Sequence, residues 1–219
     1  MKWTLPNQLT LGRVGLSAVF FVLLGLYRGD ACYGPALLGA AFVIFIIACV
    51  TDILDGYFAR KLNQTSAFGR MVDPIVDKVL VVGGFAMLAG PDFSHVAVQS
   101  IGNMERNLPL WLTGGMATGV QAWMVVMILA REFIISGIRG YSESQGIKFP
   151  AIPAGKLKML TQSVAIGTVL YQLTWLPDAI WAVCVKISIV WLAVLVTVLS
   201  GVFYIQKARN LMYIDESNA

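Results

Sequence analysis

Charge is scarce in this chain: Asp, Glu, Lys and Arg make up 13% of its 219 residues, about half the share of a water-soluble domain. A surface cannot be covered with water-compatible groups from so small a supply. A soluble globular protein is therefore excluded, and the expected solvent is largely lipid. Cysteine is scarce as well. Cys32, Cys49 and Cys184 form no CxxC pair and no even set, which argues against a disulfide framework and against a thiolate zinc site. The single histidine, His95, falls in a polar connection and is expected to be neither ligand nor base. No nucleic-acid partner is expected. The sequence shows no convincing internal repeat and no low-complexity tract. No cleavable leader is apparent either, because the first apolar run begins after Arg13 and lacks a small-residue cleavage site.

What the chain does have is apolar length. Hydrophobic residues account for 58%, and the mean hydropathy is +0.74. Six crossings of a bilayer would consume roughly 120 residues and leave short connections. Six runs of that kind are present, at about 14–27 (extended by the LTLG before it), 34–60, 72–90, 119–139, 156–173 and 178–206. They are continuous rather than alternating, so helices and not barrel strands are predicted. The expectation is an all-α, polytopic integral membrane protein with six transmembrane helices, forming a single domain over residues 1–219. Segment Lys2–Arg13 mixes Trp3, Leu5 and Leu9 with Asn7, Gln8 and Thr10 and is expected to lie in the interface. Segments 91–109 and 140–155, polar or rich in Gly, Pro and Ser, read as loops. The six tryptophans mostly flank the spans, as in an aromatic belt. Gly83 and Gly84 are expected to permit close helix packing.

The few charges are distributed unevenly. With six spans both termini share one side, which collects Lys2, Arg13, Arg60, Lys61, Arg70, Lys78, Arg131, Arg139, Lys148, Lys156, Lys158, Lys207 and Arg209. The other side keeps Arg28, Arg106 and Lys186. By the positive-inside rule both termini are expected to be cytoplasmic.

Residues 51–80, TDILDGYFARKLNQTSAFGRMVDPIVDKVL, carry most of the chemistry. Asp52 and Asp55 stand at i, i+3 near the end of the second run, and Asp73 and Asp77 at i, i+4 at the start of the third. Each spacing places two carboxylates on one helical face, and the connection returns both pairs to the same membrane boundary. A charged side chain at mid-bilayer costs about 2.5–3.5 kcal/mol even on the mild insertion scale. Four carboxylates together would also repel one another unless cations intervened. Oxygen-only ligands suit a hard divalent metal, Mg²⁺ or Mn²⁺. Gly56, Ala59 and Gly69 clear the helix faces for a close approach, and Arg60 can present a fork to a phosphate. Acids, small residues and one arginine are what a metal-bound diphosphate ester requires.

The pattern Asp52-x2-Asp55-Gly56-x2-Ala59-Arg60-x8-Gly69-x3-Asp73-x3-Asp77 fixes eight positions across residues 52–77. It resembles, without a departure, the signature of the CDP-alcohol phosphotransferase family. That resemblance implies a six-helix membrane enzyme, typically a homodimer, that displaces CMP from a CDP-linked substrate with an alcohol. It implies two divalent ions held by Asp52, Asp55, Asp73 and Asp77. It also implies a CDP-diacylglycerol site at Asp52, Gly56, Ala59, Arg60 and Gly69, with Asp77 as the catalytic base. LPNQLTLGR at 5–13, ILAREFIISGIRG at 128–140 and GKLKMLTQ at 155–162 resemble the branch that makes phosphatidylglycerol phosphate in bacterial inner membranes, and segment 91–117 is longer than expected for that branch. In that branch the positions matching Arg131, Arg139 and Lys156 line the acceptor-phosphate pocket.

Charge supports the same acceptor. Arg131 and Arg139, eight apart, point to broadly one side of the fourth run, and Lys156 and Lys158 enter the fifth from the cytoplasmic side. Several cations beside an acidic metal site suit an anionic acceptor, glycerol 3-phosphate, with positive-inside anchoring and an Arg131–Glu132 contact as the plainer alternative. Serine, inositol, inositol phosphate or phosphatidylglycerol remain as other acceptors. A divalent-cation transporter would also need intramembrane carboxylates, but would hold them near the midplane on broken or repeated helices.

Overall fold

The structure, a computed structural model, describes residues 5–28, 31–62, 67–93, 117–145 and 153–217. Within those helices the side chains of residues 5–10, 55–62, 67–75, 77, 143, 153–154, 156 and 210–217 lie outside the described residues. The described chain is all helical: α1 (Leu5–Gly25), α2 (Gly34–Leu62), α3 (Ala67–Leu88), a short 3-10 turn (Pro91–Phe93), α4 (Ala122–Ser144), α5 (Pro153–Trp175) and α6 (Ile180–Ser217). Pro6, Pro35 and Pro153 each fall in a first helical turn, where the missing N–H has no intrahelical partner to lose.

Two boundaries differ from the sequence reading. The first helix begins earlier than the apolar run at 14: from Leu5 onward the N-terminal segment is continuous with α1, which brings Arg13 to 1% exposure. Segment 140–155 is not one loop: α4 runs through Gly140 to Ser144 before it ends. A lone helical glycine costs only about 1 kcal/mol, and Ser144 Oγ donates to the Tyr141 carbonyl at 2.7 Å, closing the last turn.

Neighbouring helices run up and down. The rings of Phe20 and Phe45, 5.5 Å apart, pair α1 with an antiparallel α2. Gly83 and Gly84 bring a parallel α3 against α1. A Cβ on Gly83 would stand 2.6 Å from the Phe21 ring, and one on Gly84 would stand 3.1 Å from Ile166 of α5. The close-packing role expected of these two glycines is borne out. On the other side, α5 packs antiparallel to α6 through Gln162 Nε2, which donates to Thr197 Oγ1 at 2.8 Å. The core between them holds Phe20, Leu24, Phe45, Phe85, Met124, Ile128, Ile166 and Val190.

The outward faces are as apolar as the core. Val43, Ile46, Ile47 and Val50 of α2 and Leu192, Leu195, Leu199 and Val202 of α6 are all exposed, the inverse of a water-facing helix. Gly34–Leu54 and Ile180–Arg209, of 21 and 30 residues, are long and apolar enough to cross a membrane, and Leu11–Gly25 and Lys78–Leu88 are shorter apolar stretches. In α4 and α5 the apolar run is interrupted by buried polar groups, among them Arg131, Glu132, Gln162 and Gln172. Helix alternation then sets the site. The C-terminal halves of α2, α4 and α6 and the N-terminal halves of α1, α3 and α5 collect at one end of the bundle.

Candidate active site at one end of the bundle

The backbones of Asp52, Asp55, Gly56, Ala59 and Arg60 occupy the last turns of α2, and those of Gly69, Asp73 and Asp77 the first half of α3. The side chains of Asp55, Arg60, Asp73 and Asp77 lie outside the described residues, as does that of Lys156 on the first turns of α5. Asp52 is described, and it has a partner that sequence reasoning missed. Arg13 Nη1 of α1 meets Asp52 Oδ1 at 2.7 Å, with the arginine 1% and the aspartate 34% exposed. A guanidinium is not buried without compensation; here the first signature aspartate supplies it. The sequence alone does not show this pairing, because it depends on the α1–α2 register.

The donor set fits a hard divalent cation. All four signature side chains are carboxylates, Asp52 remains one-third exposed beside its arginine, and the site already draws a buried cation to it.

A second cluster lies at the same end, on α3 to α6. Glu132 Oε1 accepts from Arg131 Nη1 at 2.9 Å and from Lys158 Nζ of α5, and all three side chains are about nine-tenths buried. Ser136 Oγ donates to the Glu132 carbonyl at 2.7 Å and accepts from Lys78 Nζ, one residue beyond Asp77 on α3. The Arg131 guanidinium also lies 5.4 Å from the centre of the Tyr204 ring on α6, and Arg139 Nη2 is 3.5 Å from the Tyr204 hydroxyl. Arg131 and Arg139 thus do face one side, as their spacing predicts. The Arg131–Glu132 contact weighed as the plainer alternative is also present.

Two cations, Arg131 and Lys158, pair with Glu132, while Lys78 reaches Ser136 and Arg139 reaches Tyr204 beside them, and Glu132 is the single described carboxylate among these contacts. The Arg131 Nε is buried without a hydrogen-bond partner among the described residues. An orphaned buried donor within surplus positive charge is a place for an anion. Glu132 was legible as the acid interrupting the apolar run of α4; Tyr204 gave no signal beyond being an aromatic near the end of the last span.

The helix segments that carry the signature carboxylates and the buried cations around Glu132 lie at one end of the bundle. The chain belongs to the CDP-alcohol phosphatidyltransferase family, whose sequence model matches residues 3–199. It is 32% identical over 217 residues to the CDP-diacylglycerol–glycerol-3-phosphate 3-phosphatidyltransferase of Bacillus subtilis, covering 94% of this chain and 95% of the relative. A Shigella flexneri protein of the same name is 33% identical over 211 residues, covering 95% and 97%. A probable phosphatidylglycerophosphate synthase of Mycobacterium tuberculosis is 35% identical over 204 residues, covering 93% and 81%.

Proposed function

We propose that this protein is a membrane enzyme of phospholipid biosynthesis. It transfers the phosphatidyl group from CDP-diacylglycerol to sn-glycerol 3-phosphate, giving phosphatidylglycerol phosphate and CMP. Family membership and the relatives' names support the reaction class. The observation that carries the choice of acceptor is the cation surplus around Glu132, with the orphaned Nε of Arg131 inside it. An uncharged alcohol offers those cations no charged partner, whereas a phosphate monoester does.

In this reading Arg131, Arg139 and Lys156 hold the acceptor phosphate, a group that takes no part in bond making. Fixing it aims the 1-hydroxyl at the phosphatidyl phosphorus, where positioning contributes to rate. Asp77 accepts the hydroxyl proton as the new P–O bond forms, and the bond to the CMP phosphate breaks. Gly56, Ala59 and Gly69 leave room on α2 and α3 for the CDP moiety, and Arg60 pairs with its phosphates. Asp52, Asp55, Asp73 and Asp77 would hold two Mg²⁺ or Mn²⁺ ions, which when bound neutralise diphosphate charge and stabilise the attacking and leaving oxygens. A carboxylate that also serves as base is at most loosely coordinated, and this is assigned to Asp77.

The same proposal takes residues 1–219 as one six-span domain in the bacterial inner membrane, acting as a homodimer. Both termini and the site face the cytoplasm, where glycerol 3-phosphate is soluble. The apolar outer faces of α2 and α6 support the membrane placement. The test is CMP release from CDP-diacylglycerol by the purified protein with a panel of acceptors. Glycerol 3-phosphate is expected to drive release well above serine, inositol or phosphatidylglycerol. A preference for any of those reassigns the acceptor.

A further inference from the structure

The acceptor reading names Arg131 and Arg139 of α4 and Lys156 of α5, and both arginines and Gly155, the residue before Lys156, meet α6. Arg131 lies with its guanidinium over the Tyr204 ring at 5.4 Å, within the range in which a cation is attracted to an aromatic face. One turn earlier, a Cβ on Gly201 would stand 3.2 Å from Arg131 Cγ, so the stem of the arginine passes over a position that has no side chain. Arg139, two turns further along α4, directs Nη2 at the Tyr204 hydroxyl, 3.5 Å away. That hydroxyl also sits against α5, since a Cβ on Gly155, the residue before Lys156, would be 3.0 Å from it. Tyr204 itself is 3% exposed, which fixes its ring.

We propose that Gly201 and Tyr204 of α6 form a seat that holds Arg131, Arg139 and the first turn of α5 in one arrangement, and so set the preference for a phosphate-bearing acceptor. The inference rests on the acceptor reading above and adds to it a positioning device. Tyr204 acts through the arginines and does not touch the reacting atoms. The seat answers a physical need: an arginine side chain has many rotamers, and ordering it only when substrate arrives costs affinity. A buried ring beneath one guanidinium and a hydroxyl beside the other order both beforehand.

The experiment uses the full chain in detergent or nanodiscs, with glycerol 3-phosphate and CDP-diacylglycerol varied separately. Tyr204→Phe keeps the ring and removes the hydroxyl; its KM for glycerol 3-phosphate is expected to rise about 3- to 10-fold. Tyr204→Leu removes both contacts, with an expected rise of about 10- to 30-fold. In both variants the KM for CDP-diacylglycerol should stay within about twofold, because its proposed site lies on α2 and α3. Adding Tyr204→Phe to Arg139→Ala should raise that KM by less than the product of the two single effects, since the hydroxyl acts in part through that arginine. Equal rises in both KM values, or full additivity with Arg139→Ala, overturn the seat. Wild-type protein tests the underlying reading separately: turnover as fast with an uncharged alcohol as with glycerol 3-phosphate would remove the acceptor assignment, whatever the Tyr204 variants do.

Discussion

The two ends of the bundle handle buried positive charge in different ways. At the end away from the signature Lys186 of α6, 1% exposed, donates to the Ala117 carbonyl and to Gln172 Oε1 at 2.8 Å. These two oxygens are neutral. Close by, Thr118 Oγ1 donates to the Leu88 carbonyl at 2.8 Å and accepts from the Val120 amide at 3.1 Å, around Gly119 at φ +70°. The lysine therefore fastens the segment leading into α4 onto α5 and α6. At the other end the buried cations meet carboxylates, Arg13 on Asp52 and Arg131 with Lys158 on Glu132. There the cations of the second cluster outnumber their described counter-ion, and a guanidinium nitrogen is left over. One end is closed by its own hydrogen bonds; the other keeps charge in hand for a ligand.

Substitutions at the charged end are expected to have the largest effects. Asp52→Asn, Asp55→Asn and Asp73→Asn should each abolish turnover, and titration with Mn²⁺ or Mg²⁺ should show weakened binding; normal affinity and activity in all three would remove the metal site. Asp77→Asn should lose turnover yet still bind CDP-diacylglycerol, and near wild-type rates would send the search for the base elsewhere. Next comes Glu132→Ala, which strands Arg131 and Lys158 in a buried place. Removing one member of such a set costs about 3–5 kcal/mol, so thermal unfolding should fall markedly, and an unchanged melting temperature would mean that the pairing contributes nothing.

Smaller effects are expected where the bundle only packs or fastens itself. Lys186→Met leaves the Ala117 carbonyl and the Gln172 amide short of a donor, a loss of about 1–3 kcal/mol. It should lower the melting temperature while turnover per folded molecule stays the same. A selective rise in the KM for glycerol 3-phosphate in this variant would erase the distinction between the two ends. Gly83→Val forces a side chain into the Phe21 ring and should cost about 1–3 kcal/mol by overpacking, read by the same thermal measurement.

Much of this was legible in the residues, and the exceptions have a common cause. The six apolar runs lie on the six long helices of the described chain, because a continuous apolar stretch of that length is helical wherever water is absent. The carboxylate spacings and the direction shared by Arg131 and Arg139 follow from helical periodicity alone. Arg13 on Asp52, Lys158 on Glu132 and Tyr204 beneath Arg131 do not, since each depends on the register between helices that are distant in sequence. The end of α4 is hidden for a local reason: polar and glycine residues at 140–144 look like a turn, yet a helix already running over an apolar stretch continues through them.

The account turns on whether the cation surplus serves the acceptor, and Arg139→Ala tests that most directly. The variant removes a charge-assisted contact to the acceptor phosphate, so kcat/KM for glycerol 3-phosphate should fall about 10- to 150-fold through KM, with the affinity for CDP-diacylglycerol nearly untouched. Arg139→Lys, which keeps the charge but not the fork, should fall between the two. An Arg139→Ala enzyme whose KM for glycerol 3-phosphate matches the wild type, or rises only in step with that for CDP-diacylglycerol, would contradict it.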